Sequence, residues 1–484
     1  MTAMKARLGA ERGPGLALGV AALALFGILC GVGVAMGELQ ALIGAVTLVA
    51  CCAVFIDFRV GAVLLMALMP IESSYVFPHS MFGFTGLNPI NVLLVTTLLS
   101  YLVRGRDLGR FAPKELVWLF VVPILAAAVI GSRHVDEIYP AFYNEELIHF
   151  TDAFGYVRDV AFKPLLMVVA SLLIGAALAQ SQRAERFLAP IIVSVWVMCL
   201  LAIAYVVSSG VSLGVLATAS ERGFFSGIGM HANDLGRLYA VAYALLLFTW
   251  GETRDLTLKT LLVATMGVLF VALVLTFSRG AMVGFVLVNA LFVLWKFNAR
   301  TLAIGLLVMA VALPLLPGAV WGRLGLGFSE GGDVNAISAG RIDEIWLPLL
   351  PELFKSPLWG NGLDAVMWAR ALWAEQMIPV THPHNAYMQA ILDMGLIGLG
   401  LLLAFYWHVL RHLRDLGGNA YLSPTMRGFY QGAVAGLLCF FVTGLAGSSL
   451  RPTPEFAFLW IAIGMMYGQL GRRVTPENRA AERA

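Results

Sequence analysis

Two histidines stand two residues apart in Thr381-His382-Pro383-His384-Asn385, and three arginines, Arg222, Arg237 and Arg279, stand out among those away from the basic clusters of the chain. A neutral imidazole can take the proton of an attacking hydroxyl. A guanidinium fork matches phosphate oxygens and keeps its charge when partly desolvated. Two or three arginines would therefore neutralise a diphosphate as it becomes a leaving group, which is electrostatic stabilisation of developing charge. The two histidines are the candidate catalytic or phosphate-contacting groups and Arg222, Arg237 and Arg279 the candidate anion ligands, with Asn385 beside them. His-x-His with no third histidine or suitable carboxylate nearby is a weak metal pattern. The chemistry expected is metal-independent and needs no cofactor. Plainer readings exist for each group: a histidine that caps a helix, or an arginine that snorkels or is salt-bridged.

The elements that must position these groups are apolar. The 484 residues are 60% hydrophobic and 13% charged, against roughly 45–50% and about 25% for a soluble domain. That composition excludes a soluble enzyme, a disordered chain and a nucleic-acid binder. It predicts an all-α polytopic membrane protein. A net charge of +3 offers no global field for a polyanion. The five cysteines, Cys30, Cys51, Cys52, Cys199 and Cys439, lie in apolar runs without metal-ligand spacing and read as small core residues.

Runs of about 20 apolar residues mark candidate spans. They fall near 15–36, 39–56, 60–72, 89–103, 115–132, 160–180, 187–208, 235–250, 259–277, 281–297, 301–319, 386–410, 428–447 and 455–470, or 12 to 14 helices when the two short ones are discounted. The organisation expected is 1–319 transmembrane, 320–385 a periplasmic loop with amphipathic helices, 386–470 three further spans and 471–484 a cytoplasmic tail. Most lysines and arginines fall on one side when the spans alternate, which puts both termini in the cytoplasm. Arg279 then sits on the outer side, in a tight turn Phe277-Ser278-Arg279-Gly280. Arg222 and Arg237 flank the outer loop before the span at 235–250. In the long loop, Ile342, Ile345, Trp346, Leu349, Leu350, Leu353 and Phe354 have helical spacing, with kinks expected at Pro348 and Pro351. A second amphipathic helix is expected over Leu363 to Gln376, and Trp346, Trp359, Trp368 and Trp373 suit a membrane interface. Tyr139, Phe142 and Tyr143, in another outer loop, have the residue types that stack on sugars or form an interfacial belt.

Three stretches resemble the O-antigen ligase and O-antigen polymerase superfamily of bacterial envelope proteins. They are Thr276-Phe277-Ser278-Arg279-Gly280-Ala281; Gly340-Arg341-Ile342-Asp343-Glu344-Ile345-Trp346 with Pro357-Leu358-Trp359-Gly360-Asn361-Gly362; and His384-Asn385 with Gly395-Leu396-Ile397-Gly398. The likeness is strongest over roughly 190–450. It implies a C-type membrane glycosyltransferase of the bacterial inner membrane. Such proteins take a glycan from undecaprenyl diphosphate at the periplasmic face and join it to another glycan or to lipid A-core. Carried over residue by residue, the resemblance makes His384 the catalytic histidine and Arg222, Arg279 and Arg341 the diphosphate ligands, with His382, Asn385 and Arg237 in secondary places. Asp393 departs from the family's usual Glu, and His382 has no counterpart in the pattern. The competing class is a polyprenyl-linked glycan flippase or other transporter, which would place its site near the midplane among internal repeats and broken helices. No repeat links the two halves of this sequence, and its charged residues gather at one face.

Overall fold

The computed structural model describes residues 39–75, 78–81, 84–104, 111–138, 141–143, 146–148, 150–218, 220–296, 302–303, 305, 318–325, 335, 338, 340–369 and 381–472. The expected first span at 15–36, most of 301–319, Tyr139, Trp373 and all but the first two residues of the expected tail lie outside them. The described residues are helical apart from loops and two antiparallel hairpins, β1 (Ser80–Met81) with β2 (Phe84–Thr85) and β3 (Ala141–Tyr143) with β4 (Glu146–Ile148). Phe142 and Tyr143 fall on the second hairpin, paired with Leu147 and Glu146.

The chain divides into two compact units. The smaller, Met1–Leu65 with Tyr75–Arg106, contains α1 (Leu39–Ile56), most of α2 (Phe58–Leu68) and α3 (Pro89–Arg104). Helices α1 and α3 are joined by Ser100, which donates to the Val54 carbonyl at 2.8 Å. A hydroxyl satisfied by a neighbouring helix's carbonyl is the expected solution where no water is at hand.

The larger unit holds α4 (Lys114–Glu137), α5 (Ala153–Ala179), α6 (Ala184–Ser209), α7 (Ala232–Glu252), α8 (Leu256–Leu275), α9 (Arg279–Trp295), α10 (Leu347–Lys355), α11 (Ala386–Gly417), α12 (Pro424–Gly444) and α13 (Ala457–Gly471). Helices α4, α5, α6, α8 and α11 are long and apolar enough to cross a membrane, and Gln40–Ile56, Phe58–Ile71, Pro89–Val103 and Arg279–Trp295 are shorter apolar helices. The chain is an all-α polytopic membrane protein.

Helix α7 is buried along most of its length, which marks it as the centre of this unit. It can sit against α12 because Gly428, Gly432 and Gly436 repeat every fourth residue. A Cβ on Gly428 would lie 2.5 Å from the Phe248 carbonyl oxygen, and one on Gly432 2.6 Å from that of Ala244. In lipid, where apolar burial does not drive helices together, close backbone approach of this kind is the main source of association.

Three π-helical turns, Val117–Val121, Arg158–Phe162 and Ile342–Trp346, each stand directly before an α-helical turn with proline among its first residues, Pro123, Pro164 and Pro348. Proline has no N–H to give to the fourth residue back and its ring crowds that carbonyl. Widening one turn relieves the crowding and lets the helix continue. Pro348 therefore does not end the amphipathic segment, which runs on through Pro351 to Lys355.

Candidate active site

The site is organised by a break in α11. At Gly395 the backbone takes φ 65° and ψ −173°, a conformation open only to glycine. The peptide groups freed there are taken up by the loop after α10. Leu396 N–H donates to Pro357 O at 2.8 Å and Ile397 N–H to Leu358 O at 3.1 Å. In return, Asn361 N–H donates to Leu392 O at 2.8 Å and Gly362 N–H to Asp393 O at 3.0 Å. Gly360 is required as well, since a Cβ there would meet Met394 N at 2.3 Å. The glycines of the second and third sequence motifs thus form one joint. It fixes a half-helix, Ala386 to Met394, which is packed through Met388 and Leu392 on Ile345, Leu349, Ala365 and Val366 of the loop helices.

The histidine pair stands at the start of this half-helix. Asn385 caps it, its side-chain oxygen accepting from the N–H groups of Tyr387 and Met388 at 3.1 Å each. His384 has φ 51°, a left-handed backbone that is unusual for a histidine. Trp346 Nε1 donates to the Pro383 carbonyl at 2.8 Å and ties the turn to the π-helical turn after Arg341. As a result His382 Nε2 and His384 Nδ1 are 3.1 Å apart, with ring centroids at 4.3 Å. Burial pushes His382 down to about 4, with the Arg237 guanidinium adding to the effect. His384 is depressed further, by burial first and then by the positive fields of His382, Arg341, His231 and Arg237. Both rings are neutral at pH 7, the state a proton acceptor needs.

The arginines separate into different environments. Arg237, in the first turns of α7, is 6% exposed. Its guanidinium meets Glu455 Oε2 at 2.6 and 3.2 Å, Asp234 Oδ1 at 2.5 Å and the Ala446 carbonyl at 3.4 Å. Two carboxylates answer its charge, so it is salt-bridged, and its field acts on His382. Arg279 opens α9 immediately after Ser278, whose hydroxyl donates to Asn233 Oδ1 at 2.9 Å and whose oxygen caps the helix. That bond docks the Phe277-Ser278-Arg279 turn on the first turn of α7. Phe277, with φ 47°, is a second left-handed non-glycine residue. Arg341 is half-buried at the start of the π-helical turn and close enough for its charge to act on His384. Arg222 lies in the 3₁₀ segment Ser220–Ile228 that leads into α7. The structure therefore brings His384, His382, Asn385, Arg341 and Arg237 to one place and ties the Arg279 turn and the Arg222 segment to the same helix, α7.

Sequence reasoning missed several neighbours. His231 caps α7, its Nδ1 accepting from Asn233 N–H at 3.2 Å. Glu455 and Arg451 come from the loop and 3₁₀ turn between α12 and α13. Arg451 is ion-paired with Asp364, a third left-handed non-glycine residue, and donates to Val160 O at 3.1 Å. Asp393 is fully enclosed in the half-helix, where Gln389 donates to it at 2.7 Å and Ala365 N–H at 3.2 Å. Of these, only Asp393 stood out in the sequence, as a departure from the family's pattern, and nothing there showed what it touches. The expected helix over Leu363 to Gln376 starts instead as a single 3₁₀ turn, Ala365–Trp368, because Asp364 before it is left-handed and Ala369 after it is extended; 370–376 lie outside the described residues.

The stretch that carries this geometry is similar to known proteins. Residues 264–403 match the O-antigen ligase family model, a stretch that includes Arg279, Arg341, the histidine pair and the break at Gly395. A Rickettsia bellii protein named as a candidate polysaccharide ligase is 23% identical over 176 residues, 34% of this chain. The match spans 42% of that relative's own length. Residues 264–403, which hold all three sequence motifs, are thus similar to the O-antigen ligase family.

Proposed function

We propose that the protein is a metal-independent glycosyltransferase of the bacterial inner membrane that moves a glycan from undecaprenyl diphosphate to a glycan or lipid A-core acceptor at the periplasmic face. The observation that carries this reading is the neutral, hydrogen-bonded imidazole at the mouth of a half-helix, set near Arg341 on the stretch that matches the family. His384 takes the proton of the acceptor hydroxyl as its oxygen attacks the anomeric carbon. The bond from that carbon to the diphosphate oxygen breaks, and its electron pair leaves with the polyprenyl diphosphate. Arg222, Arg279 and Arg341 hold the departing charge. A single displacement inverts the anomeric configuration. The apolar helices accommodate the polyprenyl tail.

A broken helix is also a feature of transporters, where the break lines a substrate cavity. Here the break is filled by protein: the freed groups at Leu396 and Ile397 are bonded to Pro357 and Leu358. That favours a rigid support for a reacting group over a permeation site. The deciding experiment is the undecaprenyl-linked glycan pool in cells carrying His384→Ala, resolved by size. Accumulated single repeat units identify a polymerase. Long chains stranded on the carrier beside bare lipid A-core identify a ligase. An unchanged pool with normal surface polysaccharide removes His384 from the reaction and refutes the proposal.

A further inference from the structure

We infer that His382 is a positioning residue that holds the proton of His384 on Nδ1 and so leaves the Nε2 lone pair free for the acceptor hydroxyl. The inference rests on the reading of His384 as the proton acceptor. A hydrogen bond between two neutral imidazoles needs one N–H and one lone pair. His384 meets His382 through Nδ1 at 3.1 Å, so substrate can meet only Nε2. If His382 donated, His384 would carry its proton on Nε2 and could not accept another. If His382 accepts, Nε2 is bare. The Thr381 hydroxyl, 3.4 Å from His382 Nδ1, can accept the proton that this arrangement puts there. Which nitrogen of a histidine reacts is set by the bond the other nitrogen makes.

The backbone is built to make this contact. Residues 382 and 384 face each other across Pro383 because His384 is left-handed. Trp346 holds the Pro383 carbonyl and Asn385 caps the helix that follows. An aspartate at 382, the more familiar partner, would carry a charge into the fields of Arg237 and Arg341, which already act on the two rings. A second imidazole orients the first while the pair stays uncharged, so it sets no carboxylate in competition with an anionic substrate. During transfer the acceptor proton binds Nε2. The imidazolium then donates Nδ1–H to His382 and its charge is shared across the bond.

The test uses the full-length protein in detergent, labelled with ¹⁵N at its 8 histidines, with the His384 signals identified by their loss in His384→Gln. The expected wild-type spectrum at neutral pH has a protonated Nδ1 and a bare Nε2 on His384, and His382→Phe disturbs that state. In glycan transfer, His382→Phe lowers kcat about 100-fold, the lower end of a general base's contribution. Its KM for the lipid-linked donor stays within about twofold, since only transition-state stabilisation is lost. His382→Gln, whose Oε1 can accept the Nδ1 proton, recovers to within about tenfold of wild type, as the retained hydrogen bond requires. A wild-type proton on Nε2, an undisturbed tautomer in His382→Phe, or a Gln variant as poor as Phe each overturns the inference. If wild type transfers no glycan, it is the proposed function that fails, and the spectra still decide the role of His382.

Discussion

Replacing Gly395 with alanine tests whether the break in α11 holds the histidine end of the site. At φ 65° and ψ −173° a side chain is strained whatever the space around it, at about 1–3 kcal/mol. There is also no space. The new Cβ would lie 2.2 Å from both the carbon and the oxygen of Leu358 and 2.5 Å from Trp359 N, where ordinary carbon contacts begin near about 3.5 Å. The obstacle is main chain, so the loop must retreat by more than about 1 Å. That retreat breaks Leu396 N–H to Pro357 O and Ile397 N–H to Leu358 O, worth about 1 kcal/mol each. The sum is a loss of about 3–5 kcal/mol. Denaturant unfolding in mixed micelles reads it, with Gly400→Ala as the control. That glycine lies five residues on in the same helix, and a Cβ added there would meet nothing within 4 Å. Alanine at 400 should be neutral or gain up to about 1 kcal/mol. Glycan transfer should fall in the Gly395 variant and hold in the Gly400 variant. Equal stability and activity in the two would refute the claim that this joint positions His384.

Other outcomes follow from the same geometry. Glu455→Ala leaves buried Arg237 with the 40%-exposed Asp234 as its remaining carboxylate, and unfolding should register a loss of about 3–5 kcal/mol. The pair Arg237→Met with Glu455→Leu should recover most of it, and transfer activity surviving in that double variant would exclude Arg237 from holding the diphosphate. Arg279→Lys should lower transfer by an order of magnitude or more, roughly the loss of one charge-assisted bond, whereas near-normal rates would make Arg279 a structural residue. The histidine pair predicts an acid-side loss of stability. The unfolded rings bind protons below about pH 6.5 while the folded ones, faced by Arg237, Arg341, His231, Glu455 and Asp364, stay neutral to about 4 or lower. The unfolded state therefore holds more protons, and unfolding free energy should fall as pH drops through that window. Replacing both histidines with glutamine should flatten the slope, and an unchanged slope would assign the loss to other groups.

What the sequence made legible was whatever one segment determines by itself. Apolar runs announced the helices, because a helix that satisfies its own peptide groups must be apolar over its whole length to enter lipid. The turn at Arg279 was legible from Ser278 and Gly280, and the amphipathic loop helix from its spacing. Pairings across the chain were not. Glu455 lies 218 residues from Arg237 and Asp364 lies 87 from Arg451, and neither carboxylate differs in local sequence from a solvated one. The break at Gly395 was hidden for a related reason. Gly395 and Gly398 in an apolar span suggest close helix packing, and only the returning loop shows that Gly395 is needed for its φ.

Backbone strain is concentrated on the same stretches as the candidate reacting groups. Phe277, Asp364 and His384 are the non-glycine residues with positive φ among the described residues. Phe277 precedes Arg279 by two positions, His384 is the candidate base, and Asp364 pairs with Arg451 beside the half-helix. Each costs of order 1–3 kcal/mol and persists only where surrounding contacts overdetermine it. Those contacts are Ser278 to Asn233, Trp346 to Pro383 and Arg451 to Asp364. Strain gathered on these stretches is what a site needs when its reacting groups must stay put against a lipid-borne substrate.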